Sequence, residues 1–87
     1  MKKIIILGST GSIGKQTLEI IKKDKNKFKI LLLSTDKNIK LLSKQIKTFK
    51  VKNIVVTNKE KYKVLKKRLK KIQIFPDFKK MDKKLIA

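Results

Sequence analysis

The sequence predicts an α/β fold built on a parallel sheet, and three observations carry that prediction. Short apolar runs rich in β-branched residues recur at 3–7, 28–33 and 53–57. Runs of this kind suit strands buried on both faces. Between them lie segments whose apolar residues fall three and four apart, the spacing of one helix face. The links between these segments are only a few residues long. Elements alternating in this way form a sheet of parallel strands with helices packed on it, joined by right-handed crossovers.

Lys3 to Leu7 is the first strand, and Gly8-Ser9-Thr10-Gly11-Ser12-Ile13-Gly14 follows it with all three glycines of the chain. Ile13, Thr17 (through its methyl), Ile20 and Ile21 mark the apolar face of the first helix. That helix should fade in Lys23-Asp24-Lys25-Asn26, where cations suit a C-terminal end. Phe28 to Leu33 is the second strand, and Ser34-Thr35-Asp36 is expected to supply a turn and a helix N-cap. Ile39, Leu42, Ile46 and Phe49 mark the second helix. Asn53 to Thr57 is the third strand, after which Thr57 and Glu60 have the spacing of a capping box. Tyr62, Leu65, Leu69 and Ile72 mark the third helix. Ile72 to Phe75 forms a short fourth strand, placed either on the free edge of the first strand or beside the third. The first strand is expected on the inside of the order 3-2-1. After Pro76 the pattern dissolves, and 76–87 reads as a loose tail.

Composition narrows the function classes. The chain has 87 residues, one domain at most, and a chain this short buries only a small core. It has no cysteine and no histidine, which removes disulfides, thiolate metal sites and the commonest general base. Ile4-Ile5-Ile6-Leu7 is too short for a signal-peptide core, and no run approaches the roughly 20 apolar residues of a membrane span. The expectation is a cytoplasmic chain, mature from its start, with no membrane partner. The net charge of +20 suggests nucleic-acid or anionic-membrane binding. Against that, only Arg68 of the 26 basic residues is arginine, the lysines are dispersed apart from Lys66-Lys67-Arg68 with Lys70-Lys71, and no stacking aromatics interleave with them. The charge is read as solvated surface rather than a nucleic-acid interface.

The glycine loop carries the chemistry. It lies between the first strand and the first helix, where a phosphate-binding loop belongs. Gly8 suits a tight turn, Gly11 leaves room for a pyrophosphate, and Gly14 lets the helix pack closely. The helix N-terminus adds free N–H groups and a positive dipole end. Thr10 and Ser12 add hydroxyls. A P-loop is excluded, because Ser9 stands where its first glycine must be and Gln16 follows Lys15. The fold is therefore a partial Rossmann-like, doubly wound parallel sheet in the order β-α-β-α-β-α-β. The end of the second strand selects the cofactor. An acidic residue there favours NAD and a cation favours NADP. Asp36 and Lys37 pull in opposite directions.

Ile5 to Gly14, followed by Gln16-Thr17-Leu18, resembles the opening of the 1-deoxy-D-xylulose 5-phosphate reductoisomerase family. The resemblance continues through Phe28 and through Lys37-Asn38-Ile39, which matches that family's Gly-Lys-Asn segment, and it weakens past Thr57. It implies that residues 1–75 are the N-terminal half of an NADPH-binding Rossmann domain. It implies NADPH contacts at Thr10, Gly11, Ser12 and Ile13 around the phosphates, and at Lys37 and Asn38 near the 2′-phosphate. It further implies an oxidoreductase of non-mevalonate isoprenoid biosynthesis. That enzyme rearranges and reduces 1-deoxy-D-xylulose 5-phosphate to 2-C-methyl-D-erythritol 4-phosphate. Its sugar phosphate site, its divalent metal (Mg²⁺ or Mn²⁺) and its homodimer belong to the full-length family.

The sequence departs from that pattern at Asp36, where the family usually has glycine, and in length. Its acidic residues, Glu19, Asp24, Asp36, Glu60, Asp77 and Asp82, form no cluster with metal-ligand spacing. No residue is assigned a catalytic or metal-binding role, and the chain alone is expected to be inactive. The alternatives are another NADP-dependent reductase, such as a semialdehyde dehydrogenase, or a small basic nucleic-acid-binding module.

Overall fold

Four strands pair side by side and all in parallel, in the order β1-β2-β3-β4. The computed structural model describes residues 1–79. Its elements are β1 (Lys2–Ile6), α1 (Ser12–Lys23), β2 (Phe28–Thr35), α2 (Ile39–Phe49), β3 (Asn53–Val56), α3 (Lys59–Arg68) and β4 (Gln73–Phe75). A 3₁₀ turn at Lys25–Lys27 leads into β2. Of the expected tail, 80–87 lies outside the described residues, while 76–77 bend and 78–79 have helical backbone.

The parallel pairing matches the expectation, but the position of β1 does not. β1 lies at an edge of the described sheet rather than inside it. The four residues 69–72 link α3 to β4, a reach that favours the free side of β3, since elements adjacent in sequence settle adjacent in space. The Gln73 N–H then donates to Lys52 O at 2.8 Å and anchors β4 there.

One face of the sheet carries the main core. Ile6, Ile30, Leu33, Ile54, Val56 and Ile74 meet Leu18 and Ile21 of α1, Leu42 and Ile46 of α2, and Leu65 of α3. Leu42 and Leu65 are almost wholly buried, and burial of such a side chain contributes about 1.5–3 kcal/mol. Leu32, Val55 and Phe75 form a smaller cluster. The register between β1 and β2 slips by one residue, with Ile4 opposite Ile30 and Ile5 opposite Leu32. Leu31 is the extra residue of this bulge, and its carbonyl accepts from Asn53 Nδ2 at 3.3 Å. The slip brings Ile30 and Leu33, three apart, into the same cluster.

The buried stripe of α1 differs from the one expected. Gly14, Leu18 and Ile21 face the sheet. Ile13 is 81% exposed and Ile20 69%. The helix is rotated by about one residue, or roughly 100°. The cause is Gly14, which must lie against the Gly8–Ser9 turn and so sets which side of α1 faces inward.

The two Asn caps also correct the sequence reading. Ser34 and Thr35 continue β2 and are buried, so the strand outlasts its apolar run. The cap of α2 is Asn38, whose Oδ1 accepts from Leu41 N at 3.2 Å, and not the Ser34–Asp36 segment. The cap of α3 is Asn58, accepting from Lys61 N at 3.0 Å, and not Thr57. In both cases the preceding residues are held by the neighbouring strand ends, which moves each helix start further along the chain.

Candidate functional site

The Gly8–Gly14 segment crosses the C-terminal end of β1 and runs directly into α1. Gly8 adopts φ +67°, which closes the turn and suits glycine. At Gly14 a Cβ would collide with Gly8 O and come within 2.6 Å of Ser9 Cα. These two glycines are demanded by the fold itself. Gly11 is not. Its φ is −79°, and a Cβ there would meet only Gly8 O, at an ordinary 3.4 Å. Gly11 is exposed, so the space beside it is open to a ligand.

Behind the loop lies a small polar anchor that the sequence reading missed. The Gly8 N–H donates to Ser34 Oγ at 2.7 Å, and the Ser9 N–H donates to Ser34 O at 3.0 Å. The Ser9 hydroxyl lies 2.8 Å from Gln45 Oε1 and 3.3 Å from Ser34 O. Gln45 Nε2 returns a hydrogen bond to Ser9 O at 2.9 Å. Thr10 Oγ1 and Thr35 Oγ1 are 2.6 Å apart. Ser9, Ser34, Thr35 and Gln45 are the buried polar residues of the described chain, and they cluster here. No buried side-chain polar atom among the described residues lacks a partner. A signal for Gln45 was present: it sits beside Ile46 and three residues after Leu42, on the buried stripe of α2.

α1 begins at Ser12 with Gly11 at its N-cap and no side-chain cap. Its first N–H groups therefore lack an acceptor within the helix. Gly8, Gly11, Ser12 and Ile13 line an open cleft of about 620 Å³, whose other wall is Ile5 and Leu7 at the free edge of β1. Gly11, Ser12 and Ile13 are thus brought together. Thr10 turns toward Thr35 instead. Lys37 and Asn38 lie outside the cleft, past the end of β2, beyond the strand that adjoins the loop. Lys37 is exposed, while Asn38 spends its side-chain oxygen on the α2 cap. Asp36 is tied to the next strand end, accepting from Thr57 Oγ1 at 2.7 Å through its carboxylate and from Asn58 N at 3.2 Å through its carbonyl.

Among the described residues no three carboxylate, histidine or cysteine side chains converge, so no chemistry through a metal is derived for this chain. Every described lysine, and Arg68, is exposed. No helix among the described residues is long and apolar enough to cross a membrane.

A parallel α/β sheet, a strand–glycine-loop–helix unit and an uncapped helix start together define a protein of Rossmann-like fold. The chain belongs to the 1-deoxy-D-xylulose 5-phosphate reductoisomerase family, whose profile matches residues 4–85. It is similar to the 1-deoxy-D-xylulose 5-phosphate reductoisomerase of Pelagibacter ubique, with 49% identity over 95% of this chain and 22% of that protein. A Thermoanaerobacter relative of the same name is 51% identical over 82% of this chain and 19% of its own length. Among solved structures, the Zymomonas mobilis enzyme in complex with NADPH superposes with a TM-score of 0.78 at 28% identity, over 85% of this chain and 20% of that one. A reductoisomerase in complex with NADPH, fosmidomycin and magnesium superposes with a TM-score of 0.80 at 26% identity, covering 86% and 19% respectively. The chain spans about a fifth of the length of these relatives.

Proposed function

We propose that residues 1–75 form the N-terminal half of an NADPH-binding domain, with the glycine loop as the pyrophosphate site. The observation that carries this is Gly11. Neither its backbone angle nor its neighbours require a glycine, yet the space in front of it lies at an uncapped helix N-terminus. Gly11, Ser12 and Ile13 would surround the phosphates, with Thr10 beside them contributing backbone rather than its hydroxyl, which faces Thr35. Lys37 and the free amide of Asn38 would meet the 2′-phosphate. NADPH, when bound, supplies the hydride; this chain's residues bind and orient it.

In the same reading, the chain is the cofactor-binding part of a cytoplasmic, homodimeric reductoisomerase. That enzyme converts 1-deoxy-D-xylulose 5-phosphate to 2-C-methyl-D-erythritol 4-phosphate, with a divalent metal and the sugar phosphate held elsewhere. Relatives about five times longer support this division of labour. The free edge of β1, with Ile5, Leu7, Ile13 and Ile20 exposed beside it, is the surface that the remainder of such a domain would cover.

Calorimetric titration with NADPH tests the site. Saturable binding by this chain, abolished by Gly11→Val, is the expected result. A Gly11→Val variant that binds NADPH as tightly as the parent would remove the loop as the site. The chain alone should not oxidise NADPH in the presence of the sugar phosphate and Mn²⁺. Turnover by a preparation free of any longer reductoisomerase would show that the missing machinery is not needed.

A further inference from the structure

Asp36 stands where an NAD-specific Rossmann domain keeps the acidic residue that binds the ribose 2′-hydroxyl. Such a carboxylate repels a 2′-phosphate, so a chain that binds NADPH with Asp36 in place must neutralise its effect. The geometry shows how. The strand order is β1-β2-β3, and the pyrophosphate loop sits over β1. The Asp36 side chain is held on the opposite side of β2, where the Thr57 hydroxyl, just past β3, donates to Oδ1 at 2.7 Å. The Asn58 N–H holds the Asp36 carbonyl at 3.2 Å, and the Thr57 N–H holds Thr35 O at 3.2 Å. Three hydrogen bonds thus join the two strand ends, and one of them grips the carboxylate. The next residue, Lys37, is left exposed to meet the phosphate.

We propose that Thr57 is a positioning residue for cofactor choice: its hydroxyl draws the Asp36 carboxylate toward β3 and so permits a 2′-phosphate beside Lys37. This rests on the nucleotide-site reading above. Without the hydroxyl, Asp36 is free to swing back into the ribose position, where it accepts from a 2′-hydroxyl and repels a 2′-phosphate. Thr57 would then set the balance between NADPH and NADH without touching either.

Two small probes isolate the effect, 2′,5′-ADP and 5′-AMP, which differ by the 2′-phosphate. They would be titrated into the chain and its variants, with circular dichroism confirming a common fold. The parent should prefer 2′,5′-ADP. Thr57→Val should weaken 2′,5′-ADP about tenfold, the Coulomb penalty for a carboxylate about 5 Å from a phosphate near −2 in a water-like dielectric. Binding of 5′-AMP should not weaken. Thr57→Ser, which keeps the hydroxyl, should retain the parent's preference. Adding Asp36→Asn to Thr57→Val should restore it. An undiminished preference in Thr57→Val overturns the proposal, as does a loss that persists in the double variant. Failure of the folded parent to bind either probe would instead overturn the nucleotide site, and this inference with it.

Discussion

Helices α1, α2 and α3 begin in two different ways. α2 and α3 satisfy their own N-termini, through Asn38 and Asn58 side chains that accept from the N–H three residues on. α1 starts at a glycine that offers no side chain, above an open cleft. An Asn, Asp or Ser cap typically stabilises a helix by about 1 kcal/mol, and α1 forgoes it. The difference shows where the chain keeps donors available. Two helix starts are closed by their own side chains, and the third is left open above the cleft. The open start is also the one most firmly backed, since Ser9, Ser34, Thr35 and Gln45 tie its loop to β2 and α2. A loop held from behind keeps its front donors in place without a ligand.

Substitutions can break or sharpen that contrast. The largest effect is expected at Gly14. Gly14→Val forces a β-carbon into Gly8 O and Ser9 Cα, backbone atoms that cannot step aside. Urea unfolding should show a loss of about 3 kcal/mol or more, the upper range for overpacking. Undiminished stability would mean that α1 does not need its close seat on the loop.

Gly11→Asp converts the open start into one like its neighbours. It adds a capping carboxylate at the positive end of the helix, so stability should hold or rise by a few tenths of a kcal/mol. The same charge confronts the pyrophosphate, and NADPH affinity should fall at least about 30-fold, some 2 kcal/mol. A variant that is both stabilised and still binding would show that α1 is open for some other reason.

Gln45→Leu removes the backing while leaving the front of the loop untouched. The buried Ser9 carbonyl loses its side-chain partner, which costs about 1–3 kcal/mol, and the Ser9 hydroxyl keeps only its longer contact with Ser34 O. NADPH binding should weaken together with stability. Binding that survives intact would mean the loop is shaped by its glycines alone. The smallest effect is expected at Asn58→Ala, which opens the start of α3. It should cost about 1 kcal/mol by thermal unfolding. It should create no affinity for 2′,5′-ADP at α3, because nothing there combines an uncapped start with a glycine cradle.

The sequence made several of these features legible. The parallel sheet and the order of elements could be read because each strand is a short apolar run and each helix has three- and four-residue spacing. The glycine loop could be read because its string is local: turn, loop and helix start lie within seven consecutive residues. The rotation of α1 was misjudged for a reason of the same kind. Ile13 and Ile20 are as apolar as Leu18 and Ile21, and spacing alone cannot rank two overlapping stripes. Only the contact of Gly14 with the loop decides between them. The caps were placed too early because Ser34, Thr35 and Thr57 have the chemistry of caps. Across the sheet they have other partners, Gly8, Thr10 and Asp36.

What the sequence by itself determined is the local plan: which segments are strands and helices, that the strands run parallel, and where the glycine loop turns into the first helix. These follow from periodicity and from the few residues that allow a tight turn. Tertiary structure decided what depends on residues far apart in the chain. It put β1 at the edge of the described sheet, because a short link places β4 beside β3. It made Gln45 and Ser34 the support of a loop lying 36 and 25 or 26 residues away. It also gave the Asp36 carboxylate a partner in the Thr57 hydroxyl, 21 residues on. Hydrogen bonds across that separation leave no period in the sequence, because their geometry exists only once the strands have paired.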